Sequence, residues 1–194
     1  MPNERKSQII KSAAKRFARH GLTKTTLDEI ARDIRIGKAT IYHYFVSKDE
    51  LYFATLKWEC ENFIETVKSV LTAANEQLIS KLDNYISLKI SVSETNKLIH
   101  ESFLNFLNDK SFEQEKEIIG WLLTKETELL KQFLTNHYSQ RIKKISSAFP
   151  TFIVLNSWGM FFSSNLRTLI EKDRTAETKK IFIESLEILL NQEI

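Results

Sequence analysis

The stretch Thr25 to Leu51, TTLDEIARDIRIGKATIYHYFVSKDEL, holds two short helical patterns separated by a tight break, and a chain that carries it must fold around that pair. Thr26 and Glu29 form the S/T-x-x-E pair of a capping box, in which the hydroxyl accepts from the glutamate amide while the carboxylate reaches back. Leu27, Ile30, Ala31 and Ile34 then fall at i, i+3, i+4 and i+7, which makes one apolar stripe with Asp28, Arg32 and Asp33 outside it. After Arg35-Ile36-Gly37 a second pattern runs from Lys38 to Phe45, where Ile41 and Phe45 stand four apart and pack back onto the first helix. Lys38, Ala39, Thr40, Tyr42, His43 and Tyr44 are left facing outward. An ammonium, an imidazole and three hydroxyls over a small core suit base edges and phosphate oxygens better than they suit a reaction.

These residues, Thr26-Leu27-Asp28-Glu29-Ile30-Ala31 followed by Gly37-Lys38-Ala39-Thr40-Ile41-Tyr42-His43-Tyr44-Phe45 and then Lys48 and Leu51, resemble the helix-turn-helix of TetR/AcrR-family transcriptional regulators over roughly the first quarter of the chain. The resemblance implies base-edge contacts from Lys38, Ala39, Thr40 and His43, and phosphate contacts from Thr26, Tyr42, Tyr44 and Lys48. A second reading of Tyr42 and Tyr44 is that their rings close the small core. Two positions depart from the family pattern. Arg35 stands where the turn normally has glycine, so a side chain is forced toward positive φ at a cost of about 1 kcal/mol. Gly37 stands where the second helix normally opens on serine, and glycine remains an acceptable N-cap.

Charge distribution agrees with a nucleic-acid partner. Residues 1–50 hold eleven Lys/Arg against six Asp/Glu, whereas the remainder holds seventeen against nineteen, so the basic surplus lies in the segment with the helix-turn-helix. Helical periodicity runs nearly throughout with only four Gly and two Pro, which makes the class all-α. A single Cys60 forbids an intrachain disulfide and fits a reducing compartment. The opening MPNERKSQIIKSAAK is charged and no apolar run is long enough to span a bilayer, so the expectation is a cytoplasmic protein without membrane association.

The first helix is predicted from about Arg5 to His20, ended by Gly21. Ser47 and Glu50 form a second capping box that opens a long helix from Lys48 to about Thr72. Beyond it the pattern predicts helices over Asn75–Ser91, Ser93–Leu107, Ser111–His137, Pro150–Glu171 and Thr175–Gln192, about nine helices in all. The expected organisation is a three-helix helix-turn-helix domain over 1–47 and a helical ligand-binding and dimerisation domain over 48–194. The last two helices are apolar on more than one face and must bury more than one face. The family resemblance makes them a four-helix interface between two copies, with Phe152, Met160, Ser163, Phe182, Leu186 and Leu189 as interface residues and a palindromic operator as the consequence.

Trp58, Phe103, Trp121 and Trp158 with His100 and Asn156 are candidates to line a pocket for a small, largely apolar effector, although each aromatic also suits plain core. Catalysis finds no support: the four histidines lack metal-ligand spacing, no phosphate loop or nucleophile elbow occurs, and the glutamates of residues 101–128 read as solvated helix positions. No cofactor and no metal site is expected. The competing reading is a small-molecule-binding helical protein, or an enzyme, whose helix-turn-helix is vestigial; intact Thr40, Tyr42, Tyr44 and Lys48 argue against it.

Overall fold

Helix α1 (Pro2–Lys24) is interrupted at Gly21, whose φ of 72° and ψ of 171° only glycine adopts readily, so the first helix ends where its glycine predicts. Then come α2 (Leu27–Asp33), α3 (Lys38–Tyr44), α4 (Lys48–Thr72), α5 (Leu78–Ile90), α6 (Val92–Thr95), α7 (Lys97–Leu107), α8 (Glu113–Ile142), α9 (Phe149–Asn165) and α10 (Thr175–Asn191). This computed structural model describes residues 2–74, 76–142, 146–165 and 175–191, and among them there are ten helices and no strand. One expected helix over 93–107 is two, because the chain breaks at Asn96 (φ −134°, ψ 68°) between α6 and α7. The expected break at Tyr138 is a kink inside α8, which continues to Ile142. The predicted extension of α9 past Asn165 lies outside the described residues. No described helix is long and apolar enough to cross a membrane.

The chain forms two compact units, Met1–Phe63 with Asn96–Trp121, and Ile64–Thr95 with Leu122–Ile194. In the first, Ile9, Ala13 and Phe17 of α1 are buried together with Leu27, Ile30, Ala31, Ile41, Phe45 and Leu51. Arg16 clamps α1 to α2 through two 2.7 Å hydrogen bonds to the Asp33 carboxylate, and that contact holds the Asp33 carboxyl below the ordinary range. Glu59 of α4 caps α7 from a distance: one carboxylate oxygen accepts from the amides of Leu98 (2.9 Å) and Ile99 (3.0 Å). Burial raises the proton affinity of Glu59, and the two amides partly oppose it.

Glu115 corrects the reading of the α8 glutamates as solvated. It is 1% exposed and accepts from Tyr52 Oη (2.8 Å), Ser102 Oγ (3.0 Å), Asn105 Nδ2 (3.3 Å) and the Phe112 amide (3.1 Å), tying α4, α7 and the start of α8 together. The Tyr52 ring meets Phe17 edge-on with centroids 5.4 Å apart, so this node reaches α1. Tyr52→Phe keeps the ring but removes one donor from a buried carboxylate. It is expected to lower the unfolding free energy by about 1–3 kcal/mol, measured by urea denaturation with an unchanged m-value. An unmoved midpoint would mean that the remaining donors satisfy Glu115 alone.

In the second unit α9 packs on α5 and α10, around Leu82, Tyr85, Ile86, Ile153, Trp158, Phe161, Leu186 and Leu190. Inside this core Lys89 and Glu126, neither with any exposed side-chain surface, form an ion pair. Glu126 also accepts from Trp158 Nε1 at 2.7 Å. It is the second α8 glutamate that is buried rather than solvated.

Candidate nucleic-acid interface

The local geometry of α2 and α3 follows from their sequence. Thr26 is the N-cap of α2, its hydroxyl accepting from the Glu29 amide at 3.3 Å while Glu29 accepts from the Thr26 amide at 3.0 Å. At the other end the Ile36 amide bonds the Ala31 carbonyl and the Arg35 amide bonds the Arg32 carbonyl, with Arg35 at φ 54°. That is a Schellman ending with a side chain at the left-handed position, the strained turn expected from arginine in place of glycine. Gly37 serves as the N-cap of α3 in extended conformation, with no side-chain cap.

On α3 the buried residue is Ile41, and Phe45 just past its end is 2% exposed. Lys38, Ala39, Tyr42 and His43 are exposed, whereas Thr40 and Tyr44 are half-buried. Tyr44 thus lies between the two readings given to it, with its ring edge-on to His43 at 5.1 Å. Thr26 is exposed, but its hydroxyl also serves the capping box. The Lys38 ammonium donates to Asp28 at 2.7 Å in a pair whose side chains are 44% and 56% exposed. Such a pair contributes at most about 1 kcal/mol and exchanges readily for another anion. Lys48, at the first turn of α4, donates to the carbonyls of Leu22 (2.8 Å) and Thr25 (3.2 Å) and thereby fixes the turn that follows α1. Two of its three N–H groups are so engaged.

The other predicted site residues are distributed as follows. Trp58, Phe103, Trp121 and His100 belong to the first unit, and Asn156 and Trp158 to the second. Phe103 and Trp158 are buried, Trp58, Trp121 and His100 half-buried, and the Lys57 ammonium lies over the Trp121 ring. Asn156 is exposed and donates to the Phe152 carbonyl of its own helix, pointing out of the core. None of the six borders the cavity of about 360 Å³ in the second unit. Of the predicted interface set, Leu186 and Met160 are buried within the protomer, Phe182 is half-buried, and Phe152 (46%) and Leu189 (37%) are exposed. The Ser163 side chain lies outside the described residues.

A family model, bacterial regulatory proteins of the tetR family, matches residues 9–55. The regulator HbdR of Aromatoleum sp. is 44% identical over 54 residues, 28% of this chain and 24% of HbdR. YhgD, an uncharacterized regulator of Bacillus subtilis, is 30% identical over 131 residues, which is 57% of this chain and 69% of YhgD. The chain spans only about half the length, 50%, of another Bacillus subtilis regulator that it matches. In fold it is similar to the regulator FadR of Bacillus subtilis, solved in complex with stearoyl-CoA, with a TM-score of 0.65 at 18% identity over 97% of this chain and 99% of that one. The matched segment covers α2, α3 and the start of α4 where the exposed set lies, and the chain belongs to the TetR family of bacterial transcriptional regulators.

Proposed function

We propose that the protein is a ligand-responsive repressor that reads a palindromic operator as a homodimer and is released by a small effector, acting in the cytoplasm. The observation that carries this reading is the division of α3 into a buried side, Ile41, and an exposed side, Lys38, Ala39, Tyr42 and His43. In this reading the free protein is the DNA-binding form and an effector acts by release. Residues 1–47 bind DNA and 48–194 bind effector and partner copy. Thr26, Tyr42, Tyr44 and Lys48 contact phosphate, and Lys38, Ala39, Thr40 and His43 meet base edges. Lys48 retains one N–H for a phosphate oxygen while two hold the turn after α1.

Dimerisation is supported by apolar surface left uncovered on the last two helices: Phe152 and Leu155 on α9, and Ile181, Ile188 and Leu189 on α10, are all exposed. A two-fold dimer holds two recognition helices about one DNA turn apart, near 34 to 36 Å. Support for an effector with a long apolar part comes from FadR, which was solved with an acyl-CoA.

Selection from a random duplex library, followed by binding to the winner across a salt series, tests this. A palindromic winner with a steep salt slope is expected; no enrichment and only weak binding to every sequence would overturn the reading. Lys48→Ala should weaken binding to all duplexes and lower the magnitude of the salt slope by about 1 per subunit. An unchanged slope would remove Lys48 from the phosphate contacts.

A further inference from the structure

Lys81, on α5, is 8% exposed, and its ammonium has neither a hydrogen bond nor an ion pair among the described residues. Its stem is packed in the core, while the ammonium is not among the buried polar atoms without a partner and so keeps access to water. Lys81 borders the cavity of about 360 Å³ in the second unit, at the lower end of the range that holds small ligands. Lys68 of α4 and His137 of α8 border it too, and no acidic side chain is among the described residues that line it. Lys68 has Glu65 at 3.9 Å, but both are exposed, and Glu65 does not reach the cavity. Asn136 adds a neutral amide, while Leu71 and Phe133, both buried, add an apolar wall.

Two ammonium groups and an imidazole bordering a space with apolar walls suit an anion that has an apolar body. We infer that this cavity binds a small amphipathic carboxylate, its head group on Lys81 and its apolar body against Leu71 and Phe133. The inference deepens the effector reading above by assigning the effector a negative charge, and it rests on that reading only for the regulatory consequence. One helix, α4, carries both the cavity wall at Lys68 and Leu71 and, at its first residue, the Lys48 contacts to Leu22 and Thr25.

The test uses the full chain and calorimetric titration with sodium octanoate, sodium benzoate, 1-octanol and inorganic phosphate, on wild type and on Lys81→Met. Methionine keeps the apolar stem and removes the charge, so the variant is expected to fold. At least one of the two carboxylates should bind wild type and lose affinity by about tenfold or more in Lys81→Met, since a charge-assisted hydrogen bond is removed. The alcohol and phosphate should bind much more weakly than the carboxylate. Absence of carboxylate binding, equal binding to Lys81→Met, or equal binding of octanol or phosphate would overturn the assignment. Adding the bound carboxylate to the complex with the selected duplex separates the two readings. If the carboxylate binds in a Lys81-dependent way and leaves duplex occupancy unchanged, the anion site stands and effector-driven release falls.

Discussion

Phe152→Glu combined with Ile188→Glu is expected to turn the protein into a monomer and to weaken binding to a palindromic duplex by roughly a hundredfold or more. Both side chains are large, apolar and exposed, at 46% and 57%. Phe152 gives up ring contacts to Phe149 and Phe182 at 6.0 and 6.5 Å between centroids, but both substituted side chains are largely exposed, so helicity should be retained. Two carboxylates on each of two facing surfaces would place like charges in an interface core from which charged residues are normally depleted. Once the copies separate, each half-site is bound independently and the gain from linking two readers, about 10² to 10⁴, is lost. Sedimentation velocity gives the mass, and fluorescence anisotropy gives the affinity for the palindrome and for a half-site. Half-site binding should be nearly unaltered, because the α3 residues are untouched. Phe106→Glu is the control: Phe106 is 57% exposed on α7, in the first unit, and its charge should leave the dimer intact. A double variant that remained dimeric would place the interface elsewhere than on α9 and α10.

The helix-turn-helix was legible in the sequence because each signal in it is short-range. The capping box at Thr26 and Glu29, the stripe of Leu27, Ile30 and Ala31, and the turn at Arg35 all act within about five residues, and all three appear in the structure. The break at Asn96 carries no glycine or proline to announce it. Two α8 glutamates, Glu115 and Glu126, depart from the solvated reading for a different reason. Glutamate in a long helix is solvated far more often than not, so residue type was allowed to outweigh position. Position gave the opposite answer. Glu115, Ile118, Ile119, Leu122, Glu126, Leu130, Phe133 and Leu134 are the buried residues of one helical stripe on α8. Lys81, Tyr85 and Lys89 likewise recur every four residues on α5, beside buried Leu82 and Ile86. A charge that falls on an apolar stripe is the pattern that would have marked Glu126, Lys89 and Lys81 as candidates. On α9 no stripe could be read, since apolar residues surround the helix; which of them face outward is decided by α5 and α10, far away in the chain.

The buried pair on those two stripes carries the second large effect. Lys89→Met is expected to destabilise the protein by about 3–5 kcal/mol, because it leaves the Glu126 carboxylate inside the core without its counter-charge. Glu126 would keep the Trp158 indole as a donor at 2.7 Å, and one neutral donor does not replace an ammonium. Glu126→Gln strands the lysine instead. Burial already draws the Lys89 ammonium below its ordinary proton affinity, with Glu126 opposing that shift, so the lysine can shed its proton more easily than the glutamate can find a new partner. Glu126→Gln should therefore cost less than Lys89→Met. Lys89→Met with Glu126→Gln removes both charges, keeps an acceptor for the Trp158 indole and leaves the methionine stem among the Tyr85 and Trp158 rings that now flank the ammonium at 4.0 and 5.0 Å. The double variant is expected to regain most of the loss, with a coupling of about 2–3 kcal/mol in a cycle of urea denaturations. Purely additive losses would mean that each side chain is held by its own surroundings and that the pair, though buried, is not the unit that joins α5 to α8.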